Sequence, residues 1–286
     1  MIVKNIVSLR KIIEDINFKK KICFIPTLGN LHKGHLSLVE NAKKKRDFVV
    51  VSIFINPLQF EKKRDFESYP RTLKNDLDIL KKNKVDLIFL PPKNFVSSNL
   101  SIVKVNKISE KLCGIDRTGH FEGVATIILK FLRLIKPDKI ILGEKDFQQI
   151  LIIKQVIKDF FLSTKVIVLP TIRDMDGLAL SSRNSLMSNN KRKLASILYE
   201  SLKKICEEII NTGIIPNRID YYKIKILKAG FEKVNYLEIL KDKDLSILDE
   251  KPSNARIFIS ADISGIRLID NLKIKRKIGI VKGIIS

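Results

Sequence analysis

The feature that most constrains this sequence is an eleven-residue stretch at positions 25–35, IPTLGNLHKGH. It follows a continuous apolar run at 22–25, which is typical of a strand buried on both faces of a sheet. Apolar residues then recur at helical spacing across 38–42. The stretch is therefore predicted to be a strand-to-helix turn, in which Gly29 and Gly34 permit tight backbone angles and a close approach to a ligand.

Two histidines, His32 and His35, lie at the start of the predicted helix. A helix N-terminus presents free backbone N–H groups and the positive end of a dipole, which favours phosphate, and imidazoles add further donors. This pattern indicates nucleotide chemistry. Two alternatives remain open at this point: half of a metal site, with His120 as the third histidine of the sequence, and an ordinary helix start with solvated side chains.

Composition narrows the class of protein. The chain has 286 residues, 45% of them hydrophobic and 30% charged, as in soluble globular proteins. No run reaches the roughly 18 apolar residues of a membrane span, and the N-terminal residues lack the features of a signal peptide. Three separated cysteines are consistent with reduced thiols. We therefore expect a cytoplasmic protein without a membrane partner.

The formal net charge of +23 raises the question of a nucleic-acid partner. The lysines, however, are spread along the whole chain in short clusters such as 19–21 and 43–45, without a basic tail or a zinc-finger spacing. We interpret them as solvated faces and expect no nucleic-acid partner. A nucleic-acid-binding protein built on a degenerate nucleotide fold is the alternative.

A second strand is predicted at 48–55, where β-branched and aromatic residues predominate. A strand, a helix and a strand at this spacing form a βαβ unit, whose ligands lie beyond the carboxyl ends of its strands. Asn56 and Gln59 follow this strand and are therefore expected to face the same crevice as the two histidines. A simple turn is the alternative explanation for Asn56.

The rest of the first 170 residues continues the alternation of helices and strands. The polar segment 61–69 is predicted to be a loop, and 93–122 to contain loops and one short strand. Apolar patterns predict helices over 6–17, after Pro70, over 124–135 and over 150–161, with strands at 85–90, 139–142 and 165–170. Residues 1–173 are thus predicted to form an α/β domain with a doubly wound, mainly parallel, Rossmann-like sheet.

The strand at 139–142 leads into a second strand-to-helix turn, GEKDFQQ at 143–149. Lys145 is placed to neutralise phosphate oxygens, and Gln149 to bind a small polar ligand. An ordinary charged surface turn is the alternative.

The alternation of apolar strands and helices ends after Arg173. Residues 176–184, DGLALSSRN, are small and polar, and Arg183 offers a fork of donors suited to phosphate. An interdomain linker with a serine helix cap is the alternative. A long helix is then predicted over 188–212, with strands at 234–240 and 255–260. Residues 174–286 are predicted to form a smaller α+β C-terminal domain that acts as a lid.

Together these stretches resemble the pantoate–β-alanine ligase family of the nucleotidyltransferase group, which carries a His-x-Gly-His turn. The similarity covers nearly the whole chain. The turn alone is a weak signal, whereas the segments in family order are specific. They are 26–35, 51–60, 69–72, 119–123, 143–149, 176–184 and 267–271.

The resemblance implies a two-step ligation in pantothenate and coenzyme A biosynthesis. ATP would activate the carboxylate of pantoate to give pantoyl adenylate and diphosphate, and the amine of β-alanine would then attack to give pantothenate and AMP. The small-molecule partners would be pantoate, β-alanine and ATP. Mg²⁺ would accompany the triphosphate, with no metal site of protein side chains predicted, and the family is typically a homodimer.

Residue roles are carried over by matching position. His35 would be the proton donor, with His32 beside it on the phosphates. Gln59 and Gln149 would hold pantoate, and Gln59 would also lie near β-alanine. The catalytic set implied is His35, His32, Lys145 and Arg183. The residues implied for ATP are Leu28, Gly29, Asn30, Leu31, His32, Lys33, Gly34, His35, Gly143, Glu144, Lys145, Asp146, Ile172, Leu180, Ser181, Ser182 and Arg183.

The sequence departs from the family pattern at a few positions. Leu28 stands where the family usually has Met, Thr118 where it has Pro, and Arg133 where a helical Asn is common, and the 93–100 loop looks shortened. These changes concern loop dynamics and dimer contacts more than chemistry. Another nucleotidyltransferase of the same group is the rival function, and the pair of Gln59 and Gln149 argues against it.

Overall fold

The computed structural model describes residues 1–17, 20–96, 101–216, 219–248 and 254–274. The chain divides into two compact units, Met1–Arg192 and Lys193–Ser286. Each unit is a separate assembly of secondary structure with its own sheet.

The first unit extends beyond the expected boundary at 173/174. The segment after Arg173 turns back on itself, because Arg173 pairs with Ala179 in an antiparallel bridge. Arg192 then forms ion pairs of 2.6 Å with both Asp174 and Asp176. The residues that follow Arg173 therefore belong to the first unit up to Arg192.

The described part of the first unit contains a six-stranded sheet whose strands all pair in parallel. The strands are β1 (Ile2–Val3), β2 (Ile22–Thr27), β3 (Phe48–Ile53), β4 (Leu87–Phe89), β5 (Lys139–Gly143) and β6 (Lys165–Leu169). Their order is β1-β4-β3-β2-β5-β6. The direction of winding reverses between β2 and β5, and ligands of doubly wound sheets bind at such a reversal. The predicted fold class is confirmed.

Helices cover both faces of this sheet. The described helices of the first unit are α1 (Ile6–Asn17), α2 (Lys33–Lys44), α3 (Lys63–Ser68), α4 (Leu73–Lys82), α5 (Cys113–Asp116), α6 (His120–Ile135), α7 (Phe147–Asp159) and α8 (Asn189–Leu194), which crosses the boundary between the units. Short 3-10 turns lie at Pro57–Gln59, Ile108–Glu110, Glu144–Asp146 and Ser182–Leu186.

The alternating side chains of β2 show why this strand is apolar throughout. Cys23 and Ile25 point into a buried cluster with residues of α2 and with Leu80 of α4. Phe24 points to the opposite face, where its ring lies 5.3 Å from that of Phe131 on α6. A strand covered on both faces needs apolar residues at every position.

Several local predictions differ from the structure. Residues 63–68, expected within a loop, form α3, and the two-residue strand β1 was not predicted. The described residues of 93–122 contain no strand; they hold a 3-10 turn, α5 and the start of α6 instead. The 93–100 loop that the resemblance marks as shortened includes residues 97–100, which lie outside the described residues.

The second unit is a small α+β assembly, as predicted. Its described helices and strands are α9 (Ile197–Thr212), α10 (Ile219–Lys228), β7 (Lys233–Lys241), β8 (Ala255–Ile263) and β9 (Ile266–Lys273). The strands form an antiparallel sheet in the order β7-β8-β9, with α9 packed on β8 and β9 and α10 on β7. The helix expected over 188–212 is interrupted between α8 and α9. No helix in the described ranges of either unit is long and apolar enough to cross a membrane.

Candidate functional site

The turn between β2 and α2 is closed by its two histidines. His32 is the N-cap of α2, and its Nδ1 accepts a hydrogen bond from the N–H of Gly34 at 3.1 Å. In return, the N–H of His32 donates to Nδ1 of His35 at 3.3 Å. The two imidazole centroids lie 4.1 Å apart. This is a reciprocal capping box in which histidines take both side-chain positions.

The capping bonds determine where the ring protons lie. Because each Nδ1 accepts an N–H, it carries no proton, and the single proton of each neutral ring is on Nε2. Burial lowers the pKa of His32 to about 4, with Lys145 as a further cause, and lowers that of His35 to about 3, with His32 and Lys145 contributing. Both imidazoles are therefore neutral at pH 7 and each offers one Nε2–H donor.

The backbone of this turn differs from the expectation of free N–H groups at the helix start. The N–H of Gly34 is bonded to the His32 ring, and that of His35 to the His32 carbonyl at 2.8 Å. The prediction was wrong for these two groups, because the capping histidine satisfies them. The Nε2–H groups of the two rings are the donors that this turn could offer to an anion.

A buried carboxylate that the sequence analysis missed holds the preceding part of the turn. Asp76 of α4 is 1% exposed and accepts the N–H of Asn30 at 2.9 Å and that of Leu31 at 2.8 Å. The signal was present in the sequence, since Asp76 lies three residues after Leu73 and four before Leu80. An acidic residue on the apolar stripe of a helix indicates a specific partner.

The second strand-to-helix turn lies beside the first, as the adjacency of β2 and β5 requires. The charge of Lys145 lowers the pKa of His32 and that of His35, and the charge of Asp146 raises that of His32. Lys145 is partly buried. The structure therefore brings the predicted lysine together with both predicted histidines.

Two neighbouring glutamines at the start of α7 have different environments. Gln148 is buried, accepts the N–H of Cys113 at 3.1 Å and donates to the carbonyl of Ile108 at 2.8 Å, so it holds a loop. Gln149 is partly exposed in the first turn of the helix. Gln149, the residue selected from the sequence, is thus the better placed of the two for a ligand.

The segment around Ser182 is hydrogen-bonded directly to the turn between β2 and α2. Ser182 Oγ donates to the carbonyl of Asn30 at 2.9 Å, and Asn30 Nδ2 donates to the carbonyl of Ser182 at 2.8 Å. Leu180 donates its N–H to the carbonyl of Ile172 at 3.0 Å. Its Cβ lies 4.0 Å from where a Cβ on Gly34 would stand. The predicted residues of 172–183 therefore adjoin the histidine turn.

Arg183 is oriented by three neighbours. Its N–H donates to Ser181 Oγ at 3.2 Å, and its guanidinium carbon lies 5.5 Å from the ring centroid of Tyr69. Its Nη2 lies 3.3 Å from an oxygen of Asp65. A stacked arginine with an exposed carboxylate partner can exchange that partner for a phosphate.

The turn after β3 begins with a buried side chain, that of Asn56. Asn56, expected to face the crevice, is 1% exposed; its Nδ2 donates to the carbonyl of Gly123 at 3.0 Å and its Oδ1 accepts the N–H of Leu58 at 3.2 Å. That prediction was wrong, because Asn56 is the cap of the Pro57–Gln59 turn. Its Nδ2 also lies 3.3 Å from Oε1 of Gln59.

The backbone of Gln59 is fixed by two side chains that the sequence analysis did not select. Its carbonyl accepts from Nδ1 of His120 at 2.7 Å and from Nη2 of Arg117 at 3.2 Å. Arg117 Nη1 also lies 3.0 Å from Nε2 of His120, which makes Nε2 the acceptor and Nδ1 the protonated nitrogen. Gln59 follows β3 and Gln149 follows β5, on opposite sides of β2.

A metal site at His32 and His35 would need further ligands. Among the residues that the structure describes, no group of three or more His, Cys, Asp and Glu could hold a metal ion. His120, the third histidine, is bonded to Gln59 and Arg117.

Comparisons with known proteins agree with one another. The family model described as pantoate-beta-alanine ligase matches residues 1–273. The chain is 44% identical over 280 residues to the pantothenate synthetase of Buchnera aphidicola subsp. Acyrthosiphon pisum strain APS, covering 96% of this chain and 98% of the relative. It is 37% identical over 290 residues to that of Caldicellulosiruptor bescii, covering 97% of this chain and 100% of the relative.

Solved structures give the same result. The chain superposes on pantothenate synthetase from Thermus thermophilus with a TM-score of 0.88 at 35% identity, covering 96% of this chain and 99% of that one. A pantoate-beta-alanine ligase from Francisella tularensis, described as complexed with beta-gamma ATP and beta-alanine, superposes with a TM-score of 0.81 at 37% identity, covering 96% and 97%.

Proposed function

Since this chain belongs to the pantoate–β-alanine ligase family and is an enzyme of that type, we propose that its crevice beyond β2 and β5 joins pantoate to β-alanine through a pantoyl adenylate. The proposal rests on one observation: three separate turns that lie side by side carry the neutral histidine pair, Lys145 and Arg183.

The first step joins two anions. A carboxylate oxygen of pantoate forms a bond to the α-phosphorus of ATP while the bond to the bridging oxygen breaks and diphosphate leaves. The barrier is lowered chiefly by charge neutralisation and in-line positioning. We assign this role to the Nε2–H groups of His32 and His35 and to the cations Lys145 and Arg183, with His35 as the proton donor.

The ATP contacts follow from the same geometry. Residues 28–35, 143–146 and 180–183, with Ile172, would line the nucleotide. The bonds between Asn30 and Ser182 support this assignment, because they join two of the three segments. The relative from Francisella tularensis is described with beta-gamma ATP and beta-alanine, and we carry both ligands over to this chain.

The second step needs the acyl adenylate and the amine on one side of the crevice. The β-alanine nitrogen attacks the pantoyl carbonyl carbon, AMP leaves, and the amine loses a proton. We assign pantoate to Gln59 and Gln149, and β-alanine to Gln59. The fixed carbonyl of Gln59 supports this, since His120 and Arg117 hold its backbone in place.

Four further expectations accompany this proposal. Mg²⁺ would arrive on the triphosphate oxygens, which suits an ion that keeps few protein ligands. The described side chains offer no cluster of metal ligands, so the ion would be held by the nucleotide. The homodimer, the cytoplasmic location and the role of the C-terminal unit as a lid are also proposals. The three cysteines are buried.

Product analysis tests the proposed function. The purified chain is incubated with ATP, Mg²⁺, pantoate and β-alanine, and nucleotides and acids are separated by chromatography. We expect AMP and pantothenate in equal amounts, with no pantothenate when any one substrate is omitted. Formation of ADP, or AMP without pantothenate, would overturn the proposal.

A further inference from the structure

The carboxylate of Asp76 contacts the turn between β2 and α2 by accepting hydrogen bonds from backbone N–H groups of that turn. One oxygen accepts the N–H of Leu31 at 2.8 Å. The other accepts the N–H of Asn30 at 2.9 Å and the hydroxyl of Thr72 at 3.1 Å. Only 1% of the surface of Asp76 is exposed, so its carboxylate oxygens bond to these donors and not to solvent. A buried carboxylate is retained where such bonds compensate its desolvation.

From this arrangement we propose that Asp76 is a positioning residue for ATP. It holds the backbone of 29–31 in its bent conformation and, through Asn30, sets the position of the segment that carries Arg183. The inference rests on the proposed function, because it assigns ATP to these turns.

The bent conformation needs an external support. Gly29 has φ +90° and Asn30 has φ +50°, and two successive residues in the left-handed region are unfavourable for most side chains. A Cβ on Gly29 would stand 3.1 Å from Oδ2 of Asp76. The carboxylate is thus pressed against the turn. Its bond to the N–H of Asn30 offsets the unfavourable angle of that residue, and its bond to the N–H of Leu31 holds the residue that follows.

The effect of Asp76 extends to a second turn. Asn30 exchanges two hydrogen bonds with Ser182, at 2.8 and 2.9 Å, and its Nδ2 also lies 3.3 Å from Ser185 Oγ. Arg183 directly follows Ser182 in the same 3-10 turn. A rotation of the Asn30 peptide would therefore displace Arg183 as well as the histidine turn.

The test compares Asp76→Asn with a matched change at the other end of the sheet. Asparagine keeps one acceptor oxygen but turns a donor toward a backbone N–H, so one bond is lost and a conflict is added. The control is Asp86→Asn. Asp86 precedes β4, accepts the N–H of Val49 at 2.8 Å and pairs with Lys43 at 2.9 Å, and so loses a similar set of bonds far from the turns.

Equilibrium binding of ATP and steady-state kinetics are measured for both variants, with thermal unfolding alongside. We expect Asp76→Asn to raise the Kd and KM for ATP about tenfold while the KM for β-alanine changes less than about twofold. Asp86→Asn should lower the unfolding temperature and leave the Kd for ATP unchanged. Thr72→Val, which removes only the hydroxyl, should give a smaller rise and serves if Asp76→Asn does not fold.

The inference is overturned if folded Asp76→Asn and Thr72→Val both bind ATP as tightly as the parent chain. It is equally overturned if Asp86→Asn weakens ATP binding as much, since the effect would then be one of general stability. A parent chain that binds ATP but makes no pantothenate would instead refute the proposed function and leave the binding comparison valid.

Discussion

His32 donates its backbone N–H to Nδ1 of His35 over 3.3 Å, and the two rings stand 4.1 Å apart. This hydrogen bond gives the two ring nitrogens of His35 different roles. Nδ1 of His35 caps the helix, while Nε2 carries the proton that can meet a phosphate. Because the two roles use different nitrogens, substitutions can remove one and keep the other.

The first prediction uses this separation at position 35. Asparagine places its oxygen where Nδ1 stands and lacks the Nε2–H, whereas glutamine supplies a donor near Nε2 and lacks the Nδ1 acceptor. We expect His35→Asn to lose about 100-fold in kcat with little change in stability, since one transition-state donor is removed. His35→Gln should keep more activity and lose about 1 kcal/mol of unfolding free energy with the cap. Adenylate formation and urea unfolding measure the two effects, and an active His35→Asn enzyme would refute the role of Nε2.

The second prediction concerns pH and stability. The folded-state pKa values of His32 and His35, about 4 and about 3, lie below the ordinary value of 6.5. Below the ordinary value, the unfolded chain binds protons that the folded chain does not, so the free energy of unfolding falls as the pH falls. This loss begins near pH 6.5 and is absent above it.

Urea unfolding at about pH 7 and about pH 5 measures the loss. The double variant His32→Asn/His35→Asn has neither titrating group, and we expect its stability to fall less over the same interval. An identical fall in both chains would show that other groups cause it.

The third prediction concerns Lys145, whose charge contributes to the lowered pKa of both histidines. Lys145→Met should raise the pKa of His32 and that of His35, observed as histidine ring signals in NMR titration. It should also reduce kcat about 100-fold, because a cation that meets the phosphates is lost. Lys44→Met, at the far end of α2, is the control and should leave both titrations unchanged. Unmoved titrations in Lys145→Met would place that lysine away from the pair.

The fourth prediction concerns Gly123 on α6, against which the Pro57–Gln59 turn is packed. A Cβ at this position would stand 2.3 Å from the carbonyl oxygen of Leu58 and 2.6 Å from the N of Gln59. Gly123→Ala must displace that turn, at a cost of about 1–3 kcal/mol. We expect a lower unfolding temperature and at least about a tenfold higher KM for pantoate, with the KM for ATP little changed. The control is Arg133→Ala, an exposed change on the same helix, which should alter neither the unfolding temperature nor the KM for pantoate. An unchanged KM for pantoate in Gly123→Ala would contradict the assignment of Gln59 to the pantoate site.

The sequence predicted the α/β core because its local pattern and its tertiary role coincide. The continuous apolar run of β2 reflects burial on both faces, and the stripe that includes Leu9 and Ile13 reflects the one buried side of α1. Neither signal depends on which strand lies next to which. The strand order, which only the structure shows, makes β2 and β5 neighbours and brings the turns that follow them to one edge of the sheet.

The missed elements lack such local signals. α3 has no buried residue, so no apolar stripe marks it as a helix. β1 has two residues and is a strand because Ile2 pairs with Ile88, far along the chain. A pairing of this kind is decided by the tertiary structure, which a local pattern does not contain.

The site shows the same division. Residues at strand ends, such as His32 and Lys145, could be selected from topology and residue type, and their catalytic roles stay predictions. Asp76 and Arg117 act through bonds to the backbone of distant segments, and the inward orientation of Asn56 depends on the carbonyl of Gly123. Such supports are fixed by contacts between segments, so the sequence contained at most the hint of an acidic residue on an apolar stripe.

The most direct test of the central claim is the exchange of labelled diphosphate into ATP, with Mg²⁺ present and β-alanine left out. The account predicts exchange that requires pantoate and that falls about 100-fold in His35→Asn while the variant stays folded. Exchange that is absent in a folded, ATP-binding parent chain, or that proceeds without pantoate, would contradict the adenylate mechanism assigned to this crevice.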